Sequence, residues 1–208
     1  MKLTLIRHTS LQIPTGICYG QSDIDVAASF VQEATLLKQK LHGTTFDAIY
    51  TSPLQRCVKL AAALNFGVPI HDARLKELHF GDWELTAWDD IPRDVFDGWA
   101  HNYAELAPPN GETFSQLQTR GVDCLNSILN GFTIQDSKLN GFELPKNDSA
   151  HIGVVTHGGM IRALVAHVLN MPLKGLFRFN IDYGSVTQLE ISSLDFKQHV
   201  PKINFINR

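Results

Sequence analysis

Apolar and polar positions follow two rhythms along this chain. Residues 2–7, KLTLIR, are a compact β-prone run that gives way to polar, Gly- and Pro-containing sequence up to Asp25. That pattern predicts a buried strand followed by a long loop. From Ala27 to His42 the residues Phe30, Ala34, Leu37 and Leu41 recur at helical spacing, and Gly43 supplies a stop. Residues 47–52, DAIYTS, read as a second strand. Ser52 and Pro53 then read as N-cap and first position of a helix, PLQRCVKLAAAL. A short strand at Pro69–His71 follows.

Residues 75–111 break the rhythm. They hold all three tryptophans, Trp83, Trp88 and Trp99, several acids, and Pro92, Pro108 and Pro109. An insertion with one or two short helices, lying over the main sheet as a lid, is expected. From Gly111, GETFSQLQTRGVDCLNSIL opens with capping residues and becomes a long helix. Residues 131–149, rich in Asn, Asp, Lys and Gly, read as a surface excursion. AHIGVVTH at 150–157 is the next buried strand, and MIRALVAHVLN after Gly158-Gly159 is its helix. GSVTQLEIS and the KINFINR tail are the last strands, antiparallel at an edge. Repeated alternation of strand and helix predicts one α/β domain over residues 1–208, a three-layer α/β/α fold with a mostly parallel central sheet.

Composition agrees. A chain of 208 residues, 44% hydrophobic and 19% charged, is long and apolar enough for a full core. With 18 Lys+Arg against 21 Asp+Glu, the net charge of −3 gives no electrostatic case for nucleic acid or membrane as the main partner, and leaves room for a local basic pocket. Cys18, Cys57 and Cys124 are odd in number and widely spaced, which fits a reducing compartment. The apolar stretch LTLI is too short for a signal peptide, and no segment reaches the roughly 18 apolar residues of a membrane span. A cytoplasmic protein is expected.

In open α/β sheets ligands sit beyond the carboxyl ends of strands. Three predicted strands end in reactive groups: the first in Arg7-His8, the second in Thr51-Ser52 just before Arg56, and the later one in Thr156-His157-Gly158-Gly159. If these strands are neighbours, two histidines, two arginines and two helix N-termini converge. Guanidinium forks suit phosphate oxygens, and an imidazole can act as nucleophile. Taken singly each group has an ordinary reading: a surface charge, a turn residue, an incidental strand end. Glu77 shares its segment with Asp82 and Glu84, so charge alone leaves three candidate acids. Nine histidines show no HxxxH, HExxH or HxH spacing, so neither a metal nor a cofactor is implied.

LIRHT, TSPLQRC, LKELHFGDWE and VVTHGGMIRAL, in this order and spacing, closely resemble the histidine phosphatase superfamily, the phosphoglycerate mutase-like fold. The resemblance implies that His8 is the nucleophile, that Arg7, Arg56, His157 and Gly158 hold phosphate, and that Glu77 is the proton donor. GICYGQSD, FGDWELTAWDDIP, GETFSQLQTR and IDYGSVTQLE also resemble the alpha-ribazole phosphatases. Their implied substrate is alpha-ribazole 5′-phosphate or its corrinoid conjugate, a small phosphorylated metabolite of cobalamin assembly. Tyr19, Gln21 and Trp83 are then candidates for the substrate loop, since a flat heteroaromatic base suits aromatic neighbours. His79 is a candidate for the mouth of the pocket. His42, His71, His101, His151, His167 and His199 read as structural or solvated. Two departures from the family pattern stand out: Thr9 and Ser10 follow the catalytic histidine where Gly and an acid are usual, and Leu85 replaces a common Gly. The competing readings are a broad-specificity acid or sugar phosphatase, a phosphoglycerate mutase, for which the chain is short, a metal-dependent hydrolase, and a non-catalytic phosphate-binding protein.

Overall fold

In the computed structural model of this chain, the described residues are 1–133, 138–139, 142–143, 150–191 and 200–208. The surface excursion expected at 131–149 lies largely outside them, as do His199 and the final serine of GSVTQLEIS.

Strands β1 (Lys2–Arg7), β2 (Ala48–Thr51), β3 (Ile70–His71), β6 (His151–Thr156), β7 (Val186–Glu190) and β8 (Lys202–Phe205) form one sheet in the order β3-β2-β6-β1-β7-β8. Strands β4 (Lys138–Leu139) and β5 (Phe142–Glu143) pair separately, antiparallel to each other. β3, β2, β6 and β1 run parallel, while β7 is antiparallel to β1 and to β8, as expected for an edge. The two central strands, β1 and β6, are buried on both faces, which is why they read as continuous apolar runs.

Period-two alternation sorts their side chains into two cores. Leu3, Leu5, Ile152 and Val154 face helices α4 (Phe114–Thr133) and α5 (Gly158–Val168). Ile6, Ile49, Val155 and Val186 face α1 (Phe30–Lys40) and α2 (Gln55–Leu64). The sheet is thus covered on both faces. Among the described residues, no helix is long and apolar enough to cross a membrane.

Helix starts differ from expectation in informative ways. α1 begins at Phe30, not Ala27, because residues 27–29 form a turn closed by the Phe30 N–H on the Ala27 carbonyl. α2 begins at Gln55 with Leu54 as N-cap, so Ser52 is not the cap. The Ser52 hydroxyl is directed to His157 instead, and Asp23 from the preceding loop accepts the Gln55 N–H at 2.7 Å. α4 carries a reciprocal cap: Thr113 Oγ1 accepts from Gln116 N–H, and Gln116 Oε1 accepts from Thr113 N–H.

The 75–111 segment contains two 3₁₀ turns, Gly81–Trp83 and Trp88–Asp90, and one short helix, α3 (Arg93–Asn102). Its aromatic side chains pack on one another. Trp83 lies 5.5 Å from Trp99, and Phe80 5.4 Å from Trp88, ring centre to ring centre.

Candidate active site

β2, β6 and β1 are adjacent and parallel, so their carboxyl ends share one sheet edge. Register sets Arg7 beside Thr156 and Thr51 beside Val155, and the residues that follow, His8, His157 and Ser52, therefore meet. The rings of His8 and His157 lie edge to face, 5.1 Å apart. Arg56, in the first turn of α2, is fully buried. It donates from Nε to His157 Nδ1 at 3.2 Å and to the Ser22 and Gly20 carbonyls at 2.8 and 2.5 Å.

These contacts fix the tautomers. His8 Nδ1 lies 2.8 Å from the Thr9 carbonyl, which can only accept, so Nδ1 carries the proton and Nε2 keeps its lone pair. In His157, Nδ1 accepts from Arg56, so the proton sits on Nε2, 2.8 Å from Ser52 Oγ. Burial, reinforced first by Arg56, holds both imidazoles well below the ordinary histidine range.

His151 and His167 are lowered by burial as well. His8 and His157 stay neutral in the fold and take up a proton near 6.5 once unfolded. The stability they contribute is complete above that value and is lost as pH falls below it towards the folded-state values. One unit below, each strongly suppressed histidine removes about 1.4 kcal/mol. The melting temperature is expected to fall by about 5–10 °C between pH 7.5 and pH 5.5, followed by calorimetry. A constant or rising melting temperature would contradict neutral burial.

The structure also separates the three acids. Glu77 enters the site: Oε2 accepts from Gly159 N–H at 3.0 Å and Oε1 from Leu78 N–H at 2.9 Å. The Gly158-Gly159 pair makes that approach possible, since a Cβ at Gly159 would stand 2.4 Å from Glu77 Oε1. A Cβ at Gly158 would press on the Arg7 guanidinium at 3.2 Å. Asp82 is exposed and accepts from the Asn110 amide. Glu84 accepts from the backbone N–H groups of Gln21, Ser22 and Phe80 and from the Ser22 hydroxyl. Burial alone would raise its pKa, but those bonds lower it, so Glu84 is an ionised post for the 20–22 loop. That loop supplies the two carbonyls that hold Arg56.

Of the substrate-loop candidates, Tyr19 and Gln21 lie at the site. Gln21 Nε2 donates to the Glu77 carbonyl at 3.1 Å, and the Tyr19 ring faces Arg56. Trp83 does not: it is 6% exposed and sits in the tryptophan cluster, held there by Trp99 and Phe96. His79 lies 3.9 Å from Glu84. Thr9 is buried with a hydroxyl lacking a partner, and its φ is not positive, so a Cβ is accommodated there. Leu85 adopts φ 68°, the left-handed region that costs a side chain about 1–2 kcal/mol, which accounts for the Gly usual at this position.

Three residues, Arg120, Arg162 and Tyr183, escaped the sequence reading, and Ser52, placed there at the strand end and as a helix cap, has a further role. Arg120 on α4 donates to the carbonyls of Arg74, Lys76 and Glu77 at 2.6, 2.7 and 2.8 Å and pairs with Glu112, stapling the Glu77 segment. Ser52 holds His157, and Arg162 is half-buried near Arg7 and donates to the Phe179 carbonyl. Tyr183 stacks on Arg7. The signal for Tyr183 was topological. β7 is antiparallel, so residues 181–185, which precede it, pass the carboxyl end of β1.

Fold and site together define an α/β protein with a cationic cluster at the carboxyl edge of its sheet. A profile of the histidine phosphatase superfamily (branch 1) matches residues 3–203, and the chain belongs to that family. Among similar proteins is the adenosylcobalamin/alpha-ribazole phosphatase of Escherichia coli K12, 27% identical over 199 residues, covering 92% of this chain and 91% of that protein. Bacillus stearothermophilus YhfR is 30% identical, with a TM-score of 0.75 over 91% of each chain. A mycobacterial glucosyl-3-phosphoglycerate phosphatase, at 24% identity, shares the fold with a TM-score of 0.82 over 99% of this chain and 98% of that one.

Proposed function

We propose that this chain is a phosphomonoesterase working through a phosphohistidine on His8, with alpha-ribazole 5′-phosphate or its corrinoid conjugate as substrate. One observation carries the chemistry. Neutral His8, its Nδ1 proton tied to Thr9, has its Nε2 lone pair free, and lies between two guanidiniums, Arg7 and Arg56, that pair with no carboxylate among the described residues.

In the first step Nε2 attacks phosphorus, the P–N bond forms and the ester P–O bond breaks. Arg7, Arg56 and His157, with the Gly158 N–H at the start of α5, hold the phosphoryl oxygens. Glu77 acts as general acid and gives a proton to the leaving alkoxide. It then takes a proton from the water that cleaves the P–N bond, which restores His8 and releases phosphate. Charge neutralisation falls to the guanidiniums, so the reaction as written needs no metal or cofactor. The loop at 16–25 and the 75–111 segment close over the leaving group, and the enzyme works in the cytoplasm.

The named activity of the E. coli relative supports the substrate, as do the tyrosines at the mouth, which suit a flat base on ribose. A second reading is favoured by Arg162, which has no carboxylate partner among the described residues. It would suit a phosphate ester with a second anionic group. A relative from Hydrogenobacter thermophilus, 26% identical, is named phosphoserine phosphatase 1.

Side-by-side kcat/KM at one pH decides. Alpha-ribazole 5′-phosphate is expected to exceed phosphoserine and 3-phosphoglycerate by roughly 100-fold, because binding energy remote from phosphorus orients it for attack. Equal or better efficiency on phosphoserine would overturn the substrate assignment and leave the phosphohistidine chemistry standing.

A further inference from the structure

Arginines that bind anions are commonly oriented by carboxylates through two-point hydrogen bonds. Arg7 is not. Among the described residues it has no carboxylate partner. Its Nη1 donates to the Ile181 carbonyl at 2.5 Å, and its Nε is buried with no partner. What orients the group is an aromatic face, for Cζ lies 3.9 Å from the centre of the Tyr183 ring. Stacking engages the face of a guanidinium and leaves its in-plane N–H donors to an incoming anion. A carboxylate in the same place would occupy those donors and cancel the charge.

Tyr183 is itself fixed from two sides. Its ring lies 5.5 Å from that of His8, and its hydroxyl bonds to the hydroxyl of Tyr19. Tyr19 in turn faces Arg56, 5.7 Å from Cζ to ring centre. The series Arg7, Tyr183, Tyr19, Arg56 therefore spans the mouth of a site whose His8 is only 1% exposed. Tyr183 is 40% exposed, so its ring is not there to fill the core.

We infer that Tyr183 is the positioning residue of the phosphate clamp: its ring sets the plane of Arg7 beside His8, and the Tyr19 hydroxyl sets the ring. This rests on the phosphatase reading above, and its test is independent of the natural substrate. p-Nitrophenyl phosphate serves as substrate and inorganic phosphate as competitive inhibitor, with wild type compared with Tyr183→Leu, Tyr183→Met, Tyr183→Phe, Tyr19→Phe and the double phenylalanine variant.

Loss of the stack in Tyr183→Leu is expected to raise the inhibition constant for phosphate about tenfold, with a matching fall in kcat/KM. Tyr183→Phe and Tyr19→Phe each keep the stack but release the ring from its hydroxyl contact, and each is expected to raise the constant by about two- to threefold. The double phenylalanine variant is no worse than either single one, because both remove the same hydrogen bond. In an Arg7→Met background, already slow, Tyr183→Leu adds no further loss. Should melting curves show that the leucine variant does not fold, the methionine variant carries the same comparison.

Three results overturn the inference: wild-type behaviour in the aliphatic variants, a phenylalanine variant as impaired as the leucine one, or a leucine effect that persists without Arg7. A wild-type protein that neither hydrolyses the ester nor binds phosphate overturns the phosphatase reading, and this inference with it. Normal wild-type activity with a flat Tyr183 series overturns this inference alone.

Discussion

His8→Ala is expected to lose turnover by about 10⁴-fold or more, whatever phosphate ester is offered. Phosphoryl transfer needs a lone pair in line with phosphorus, and the second imidazole cannot supply one. The one ring lone pair of His157, on Nδ1, accepts from Arg56, and its Nε2 carries the proton, a donor rather than a nucleophile. Cys57, 3.6 Å from His157 Nε2, is no substitute, because burial raises its pKa far above neutrality and leaves it a thiol. Steady-state rates on p-nitrophenyl phosphate and on an alkyl phosphate check this, with His8→Asn as a variant closer in volume. Activity within tenfold of wild type in both variants would remove His8 from the role of nucleophile.

Glu77→Gln is expected to act selectively. An alkoxide is a poor leaving group and needs a proton as the P–O bond breaks, so alkyl esters should slow by about 10²–10⁴-fold. p-Nitrophenolate leaves nearly unaided, and its ester should slow by no more than about tenfold. Gln retains one carbonyl oxygen for the Gly159 N–H, while the Leu78 N–H loses its acceptor, a loss that both esters share. Equal slowing of both esters would assign Glu77 to holding the Gly158-Gly159 turn. Glu84 cannot take its place, since hydrogen bonds from the Ser22 hydroxyl and from the Gln21, Ser22 and Phe80 N–H groups hold its pKa down and favour the carboxylate, which has no proton to give.

The elements that apolar periodicity marks were legible in the sequence. β1 and β6 are buried on both faces and read as unbroken apolar runs, and the face of α1 follows from Ala34 and Leu37. The meeting of His8, Arg56 and His157 was legible because parallel neighbours bring their carboxyl ends to one edge. Side-chain partnerships that depend on three-dimensional approach were not. Ser52 has the pattern of a helix cap, yet its hydroxyl goes to a histidine 105 positions away. Trp83 has the chemistry of a stacking residue, yet three tryptophans and their aromatic neighbours bury more apolar surface by packing on one another. Arg120 sits in a helix where a charge ordinarily faces solvent; three carbonyls and Glu112 explain it only once the Glu77 segment lies beside α4. Tyr183 precedes an antiparallel strand, and only the direction of β7 brings it to Arg7.

The central claim, covalent transfer to His8, is tested most directly by trapping the intermediate. Wild-type protein is mixed rapidly with a ³²P-labelled phosphate ester and quenched in alkali, and the labelled peptide is mapped by mass spectrometry. Phosphate stable to base, labile to acid and carried on the peptide containing His8 is the expected result, with none in His8→Ala. Label on another residue, or full turnover with no trapped phosphoenzyme at any quench time, would contradict it.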